Sequence, residues 1–129
     1  MNLKGKTILI AEDEYSGFAY LEAILKRTGV TLLYAKNGLE AVEIFRANPE
    51  IDLVLMDLQM PGLDGFQARA KISEINPHTP QIAQTAFAMV EDEIKTREAG
   101  FNGYICKPIR KNDLLNLIGK LLNLPPNQE

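Results

Sequence analysis

The sequence has little of what marks several large classes of protein. It holds one cysteine, Cys106, which excludes an internal disulfide and suits a reducing compartment. It holds one histidine, His78, in the loop Asn76-Pro77-His78-Thr79-Pro80, read as structural or solvated and given no catalytic role. No apolar stretch approaches the roughly 20 residues that cross a bilayer. Met1-Asn2-Leu3-Lys4-Gly5-Lys6 is basic but has no long apolar segment behind it. No signal peptide is read, and the chain is expected in the cytoplasm without membrane contact. The formal charge of −3 argues against general binding to nucleic acid or to a membrane surface. No internal repeat or low-complexity segment is present. What remains is an ordinary globular composition, 46% hydrophobic and 24% charged, in 129 residues. That length suits one domain with one core.

Short apolar runs alternate with helical patterns five times. Strands are expected near 6–11, 30–35, 51–57, 80–85 and 103–106. They are rich in Ile, Leu and Val without strict alternation, as when both faces of a sheet are covered. Leu21, Ile24, Leu25 and Thr28 form a first helical stripe, and Leu39, Val42, Ile44 and Phe45 a second. Asn37 is the expected N-cap of the second helix, with Glu40 completing a capping box. A third helix is expected over 63–75 with Asp64 near its start, a charge-rich fourth over 88–99 and a fifth over 110–123. Such alternation implies a parallel sheet with right-handed crossovers and helices on both faces. Ligands of these sheets bind beyond the carboxyl ends of the strands. The domain is expected to occupy 1–124, with 125–129 a tail or linker remnant after the Pro125-Pro126 stop.

The strand ends carry the chemistry. The first run stops in Glu12-Asp13-Glu14, the third in Asp57, the fourth in Thr85 and the fifth in Lys107-Pro108. Taken singly, these are a helix start, a turn former, a strand-end hydroxyl and a solvated charge. Independent turn residues need not converge, and their joint placement changes the weighing. Glu12, Asp13 and Asp57 offer the oxygen ligands that Mg²⁺ prefers, and the backbone carbonyl of Gln59 can add another. One Mg²⁺ and the Lys107 ammonium bring the formal charge of the site to zero, so a phosphoryl dianion could approach. Attack by an Asp57 oxygen would give an acyl phosphate. Metal and lysine would stabilise the charge that develops.

These residues resemble the receiver domain of two-component response regulators. The likeness spans about 6–122 and rests on Ile-Leu-Ile-Ala-Glu-Asp-Glu (8–14), Leu-Met-Asp-Leu-Gln-Met-Pro-Gly-Leu-Asp-Gly (55–65), Gln-Thr-Ala (84–86) and Tyr-Ile-Cys-Lys-Pro (104–108). The resemblance implies a flavodoxin-like (βα)5 sandwich with strand order 2-1-3-4-5. It makes Asp57 the phosphoacceptor. Glu12, Asp13, Asp57 and the Gln59 carbonyl become the ligands of Mg²⁺, which Mn²⁺ could replace. Thr85 is then the hydroxyl that shifts toward the phosphoryl group, Lys107 its cationic partner and Tyr104 the aromatic that reports the switch. Pro108 is expected to follow a cis peptide. The surface that switches is helix four, strand five and helix five, about 88–122. The phosphodonor is a histidine of a kinase or a phosphotransfer domain, docking near helix one, where Tyr15 and Phe18 are the candidate contacts. Phe18 is equally suited to the core margin.

Three positions depart from the commonest pattern. Glu12 replaces a more frequent Asp. Gly17 stands where receivers of hybrid kinases often carry Asn, at a cost of up to ~1 kcal/mol in helix propensity. Phe87 is bulky, and with Gln59 it is expected to alter the lifetime of an acyl phosphate. Cys106 is expected to be a buried small apolar residue.

Among other functions, a Mg²⁺-dependent phosphatase with an aspartate nucleophile wants a second Asp two residues on, where this chain has Gln59. A flavodoxin-like cofactor binder wants a Gly/Ser/Thr-rich phosphate cradle after strand one, where Glu12-Asp13-Glu14 would repel phosphate. A receiver that acts without phosphorylation needs no key residue, yet none is missing. The domain is therefore expected to be no enzyme beyond its own phosphorylation and dephosphorylation. It is expected to be either the receiver of a hybrid sensor kinase or a stand-alone regulator.

Overall fold

Alternation of sheet and helix organises the whole molecule. A computed structural model describes residues 1–86 and 89–125. The expectations placed on Phe87 and on the tail beyond Pro125 lie outside the described residues. Strands β1 (Thr7–Ala11), β2 (Thr31–Ala35), β3 (Leu53–Asp57), β4 (Gln81–Thr85) and β5 (Gly103–Cys106) alternate with helices α1 (Tyr15–Leu25), α2 (Gly38–Ala47), α3 (Gly65–Ile75), α4 (Val90–Glu98) and α5 (Lys111–Leu121). The strands form one parallel sheet in the order β2-β1-β3-β4-β5. The first four expected strands run one or two residues long at their starts, by Lys6, Val30, Ile51-Asp52 and Pro80, and the fifth agrees with β5.

Strand alternation sorts the core into two layers. Ile8, Ile10, Leu53, Leu55, Ile82 and Ile105 face α1 and α5, where they meet Leu21, Leu25, Leu114, Leu115 and Ile118. Leu9, Ala11, Val54, Met56 and Ala83 face the other way, against Val42, Phe45, Ala68, Ile72 and Phe101. Burial of each large side chain contributes about 1.5–3 kcal/mol before entropy is set against it. The central strand β3 is buried throughout, so its last residue, Asp57, ends a segment whose position is fixed from both sides.

Three helical expectations need correction. Leu39 is 59% exposed, because the face that α2 buries is formed by Gly38, Ala41, Val42 and Phe45 and Leu39 lies to its side. Thr28 does not extend the stripe of α1. It lies in a 3₁₀ turn, Lys26–Thr28, where its hydroxyl donates to the Leu25 carbonyl at 2.6 Å. At α2 the Asn37 side chain does accept from the Glu40 N–H at 2.8 Å, but the Glu40 carboxylate accepts from Lys36 N–H at 3.1 Å rather than from Asn37.

The complete capping box is at α3. Gln67 N–H donates to Asp64 Oδ1 at 2.9 Å, and Asp64 N–H donates to Gln67 Oε1 at 3.1 Å. This box pins the far end of the loop that follows Asp57. Gly65 pins it more closely. A Cβ there would lie 2.6 Å from the Asp57 carbonyl oxygen and 2.8 Å from Leu58 Cα. Only a hydrogen lets α3 start against the end of β3.

Candidate functional site

Register gathers the acids. Ala11 pairs with Met56 and Asp57 pairs with Gln84, so Glu12, Asp57 and Gln84 fall on one row across the carboxyl end of the sheet. That row points to the α1 and α5 face. Glu12 and Asp57 are buried, at 3% and 2% exposure. Asp13, one residue on, turns outward and is exposed. Carboxylate oxygens of Glu12, Asp13 and Asp57 all lie within 4.8 Å of one another.

Lys107 reaches over from the end of β5. Its ammonium donates to Asp57 Oδ2 at 3.1 Å and to Glu12 Oε2 at 3.3 Å. The Gln59 N–H donates to Asp57 Oδ1 at 2.9 Å, so both oxygens of Asp57 are held. Lys107 is stitched to its neighbour strand, its own N–H donating to the Thr85 carbonyl at 2.7 Å. The Lys107–Pro108 peptide is cis. Just beyond, the Ile109 carbonyl accepts from the Tyr20 hydroxyl of α1.

Two buried carboxylates share one ammonium, and their charges show the strain. Burial raises the Glu12 carboxyl, and the hydrogen bond and charge of Asp57 raise it further. Lys107 opposes them, and the net effect takes Glu12 from 4.5 to about 7. For Lys107, burial pulls the ammonium down, but the hydrogen bond and charge of Asp57 and the charge of Glu12 outweigh it and hold the group above its usual value.

A pH dependence follows. The unfolded chain releases the Glu12 proton near 4.5, whereas the folded protein keeps it to about 7. Between those values the folded state binds more protons, so the metal-free protein loses stability as pH rises, by no more than about 1.4 kcal/mol per pH unit. Urea titrations of the native chain and of Glu12→Gln across this window measure the effect. The variant should show the shallower decline, and equal slopes would remove Glu12 as its source.

The remaining candidates sit around this charged centre. Thr85 is buried at the end of β4, in register with Cys106 and on the face opposite Gln84. Tyr104 packs against the second core layer. Burial and a hydrogen bond with Cys106 push its hydroxyl up to about 12. Cys106 is half-buried rather than fully buried, because β5 is an edge strand and its side chain meets the Tyr104 hydroxyl. Tyr15 is 64% exposed, whereas Phe18 is 7% exposed. Phe18 stacks on Tyr34 at 4.4 Å between ring centroids, so it belongs to the core margin. His78 is exposed in its loop, away from the acids.

Two residues at the site are given no part in its chemistry by the sequence reading. Gln84 is buried, lines the pocket between Glu12 and Lys107, and has no hydrogen-bond partner for its Nε2 among the described residues. Its signal was an amide at a core-facing position of an apolar strand. Gly17 is the second. A Cβ there would lie 2.7 Å from the Glu12 carboxylate.

Comparison with known proteins bears on this geometry. The model of the response regulator receiver domain matches residues 8–119. This chain belongs to that family. Among its relatives is the autoinducer 1 sensor kinase/phosphatase LuxN of Vibrio campbellii, 37% identical over 123 residues, which make up 95% of this chain and 14% of that protein. Another is the polar-differentiation response regulator DivK of Brucella anthropi, 35% identical over 106 residues, which make up 81% of this chain and 85% of that protein. The crystal structure of a response regulator receiver domain protein from Clostridium thermocellum superposes with a TM-score of 0.85 at 29% identity, covering 92% of this chain and 94% of that one. The receiver is thus a domain of two-component signalling with the CheY-like, flavodoxin-like fold. No helix among its described residues is long and apolar enough to cross a membrane.

Receiver domains bind Mg²⁺ through an acidic cluster, and the donor set here fits a hard divalent cation. It is all oxygen, two ligands are buried in fixed positions, and the third lies at the solvent edge, where a cation could keep several waters. Glu12, Asp13 and Asp57 are the residues that would hold it.

Proposed function

We propose that this receiver accepts a phosphoryl group on Asp57 from a phosphohistidine of a kinase or phosphotransfer protein. The observation that carries the reading is the Lys107 ammonium, held between Asp57 Oδ2 and Glu12 Oε2 at 3.1 and 3.3 Å. A lysine so placed can follow charge as it moves from the carboxylate to a phosphoryl oxygen.

In this reading an Asp57 oxygen attacks phosphorus. The P–N bond breaks, and its electron pair leaves with the imidazole of the donor. Glu12, Asp13, Asp57 and the Gln59 carbonyl would hold Mg²⁺, which when bound would supply positive charge to neutralise the phosphoryl oxygens. Gln59 N–H fixes the rotamer of Asp57, so attack starts from an oriented carboxylate. Thr85 then donates to the new phosphoryl oxygens, and Tyr104 and the segment after Lys107 respond. Phosphorylation adds about −2 charge, and the surface of α4, β5 and α5 changes its balance of conformations. Helix α4 is suited to moving, since Thr96 is its only buried side chain among the described residues. The donor would dock at the start of α1, where exposed Tyr15 packs beside Phe18 and Tyr34 next to Asp13. The compartment would be the cytoplasm. Residues 1–124 would form the working unit, as the receiver of a longer sensor kinase or as a stand-alone regulator.

The test is direct. Incubation with Mg²⁺ and a small phosphodonor should add one phosphoryl group by intact mass, and a chelator should prevent it. An unchanged mass in the presence of Mg²⁺, with the fold intact, would reject the reading.

A further inference from the structure

The acidic pair of this receiver begins with a glutamate, and a glutamate needs more room than an aspartate. Three observations say where that room comes from. A Cβ on Gly17 would lie 2.7 Å from both Cδ and Oε1 of Glu12 and 2.9 Å from Cγ. The side chain of Glu12 therefore lies flat against the backbone of α1, in space that any other residue at 17 would occupy. Beside it is a pocket of about 240 Å³ lined by Glu12, Gly17, Tyr20, Gln84, Lys107 and Ile109. In that pocket sits the Gln84 amide, 1% exposed and with Nε2 unpartnered among the described residues.

A buried amide donor without an acceptor is destabilising, because it gives up its bond to water and gains none in return. An apolar residue would fill the row between Asp57 and Ile105 at less cost. Glu14 and Ser16 also line the pocket but are exposed; Glu12 is the buried carboxylate on its wall, and its cation Lys107 is shared with Asp57. The pocket is polar on that side and large enough for a bridging water.

We propose that Gly17 and Gln84 form a dedicated seat for Glu12. Gly17 supplies the space for the extra methylene. Gln84 is a positioning residue: its Nε2, unpartnered among the described residues of the metal-free protein, donates to the Glu12 carboxylate, directly or through one water, when Mg²⁺ binds, and takes over from Lys107 when the ammonium turns to a phosphoryl oxygen. The seat rests on the reading of Glu12 as a metal ligand, and it deepens that reading.

Magnesium titration calorimetry and metal-free thermal melts test it on the native chain, Gln84→Leu, Gly17→Ala and Glu12→Asp, with each of the first two also combined with the third. Gln84→Leu should raise the metal-free Tm by about 4 °C, since it removes the unpaired donor. It should also weaken Mg²⁺ binding about tenfold, as loss of a partner behind a ligand does. Gly17→Ala should weaken Mg²⁺ binding to a similar degree, despite the better helix former. In the Glu12→Asp background both losses should shrink to within about twofold, because the shorter carboxylate no longer reaches the seat. Mg²⁺ affinity unchanged by Gln84→Leu and by Gly17→Ala would overturn the seat while leaving the receiver reading intact. So would losses that persist in full with Asp at 12. If Gln84→Leu fails to fold, Gln84→Met and the Gly17→Ala pair decide on the same criteria. A native chain that binds no Mg²⁺ would overturn both the seat and the reading it rests on.

Discussion

An Asp57→Asn variant should gain no phosphoryl group from Mg²⁺ and a small phosphodonor, under conditions expected to label the native chain. The amide oxygen is a poor nucleophile, and no other carboxylate among the described residues has the same setting. Asp13 is exposed and lacks the lysine. Glu12 shares the lysine, but its own carboxyl is raised to about 7, and its oxygens lie against α1 rather than beside Gln59. The same substitution has a second, independent consequence. Asp57 raises Glu12 through both a hydrogen bond and its charge. With Asn at 57, Lys107 serves Glu12 alone, and the Glu12 carboxyl falls back toward the ordinary range. Intact mass reads the first effect, and carboxyl NMR titration reads the second. Labelling at equal yield on the variant would place the phosphoacceptor elsewhere.

The second large effect comes from Lys107→Met. The substitution keeps the length of the side chain and removes the charge. Two buried carboxylates then face each other without a cation. Breaking a buried pair costs several kcal/mol, and because the lysine side chain is 34% exposed, solvent trims this to about 2 kcal/mol. Metal-free Lys107→Met should therefore unfold at lower urea than the native chain, and Mg²⁺ should recover more stability in the variant than in the native protein. Phosphoryl transfer should not recover with it. Loss of a preorganised cation at developing charge slows a reaction about 10²–10³-fold. A variant stabilised and labelled like the native chain at saturating Mg²⁺ would confine Lys107 to a structural role.

Much of the architecture could be read from apolar runs, because parallel strands covered on both faces leave near-continuous hydrophobic signals. Val54, Leu55 and Met56 are the plainest case, every one of them buried. The order of the strands is not a local property. It came from the resemblance, and the register that sets Glu12 beside Asp57 depends on it. Leu39 misled because the first turn of α2 buries Gly38 and Ala41, small residues that give little apolar signal, and leaves the larger Leu39 beside that face. The capping box was legible in kind but not in place, since Glu40 reaches Lys36, and Asp64 with Gln67 closes the true one. Phe18 was ambiguous until Tyr34 of the neighbouring strand supplied a surface for it to stack on. Gly17 looked like a helix defect in the sequence. Only the approach of Glu12 to the α1 backbone gives it a reason, and that is a tertiary distance.

The bond from the Tyr20 hydroxyl to the Ile109 carbonyl ties α1, the helix proposed to dock the donor, to the segment just past the lysine. It acts as a rivet between two plates that otherwise meet through grease. A pull on the Lys107 arm would be carried through this bond to the middle of α1. A visiting donor seated on that helix would therefore feel, under its own footing, whether the charge it came to deliver has already been received.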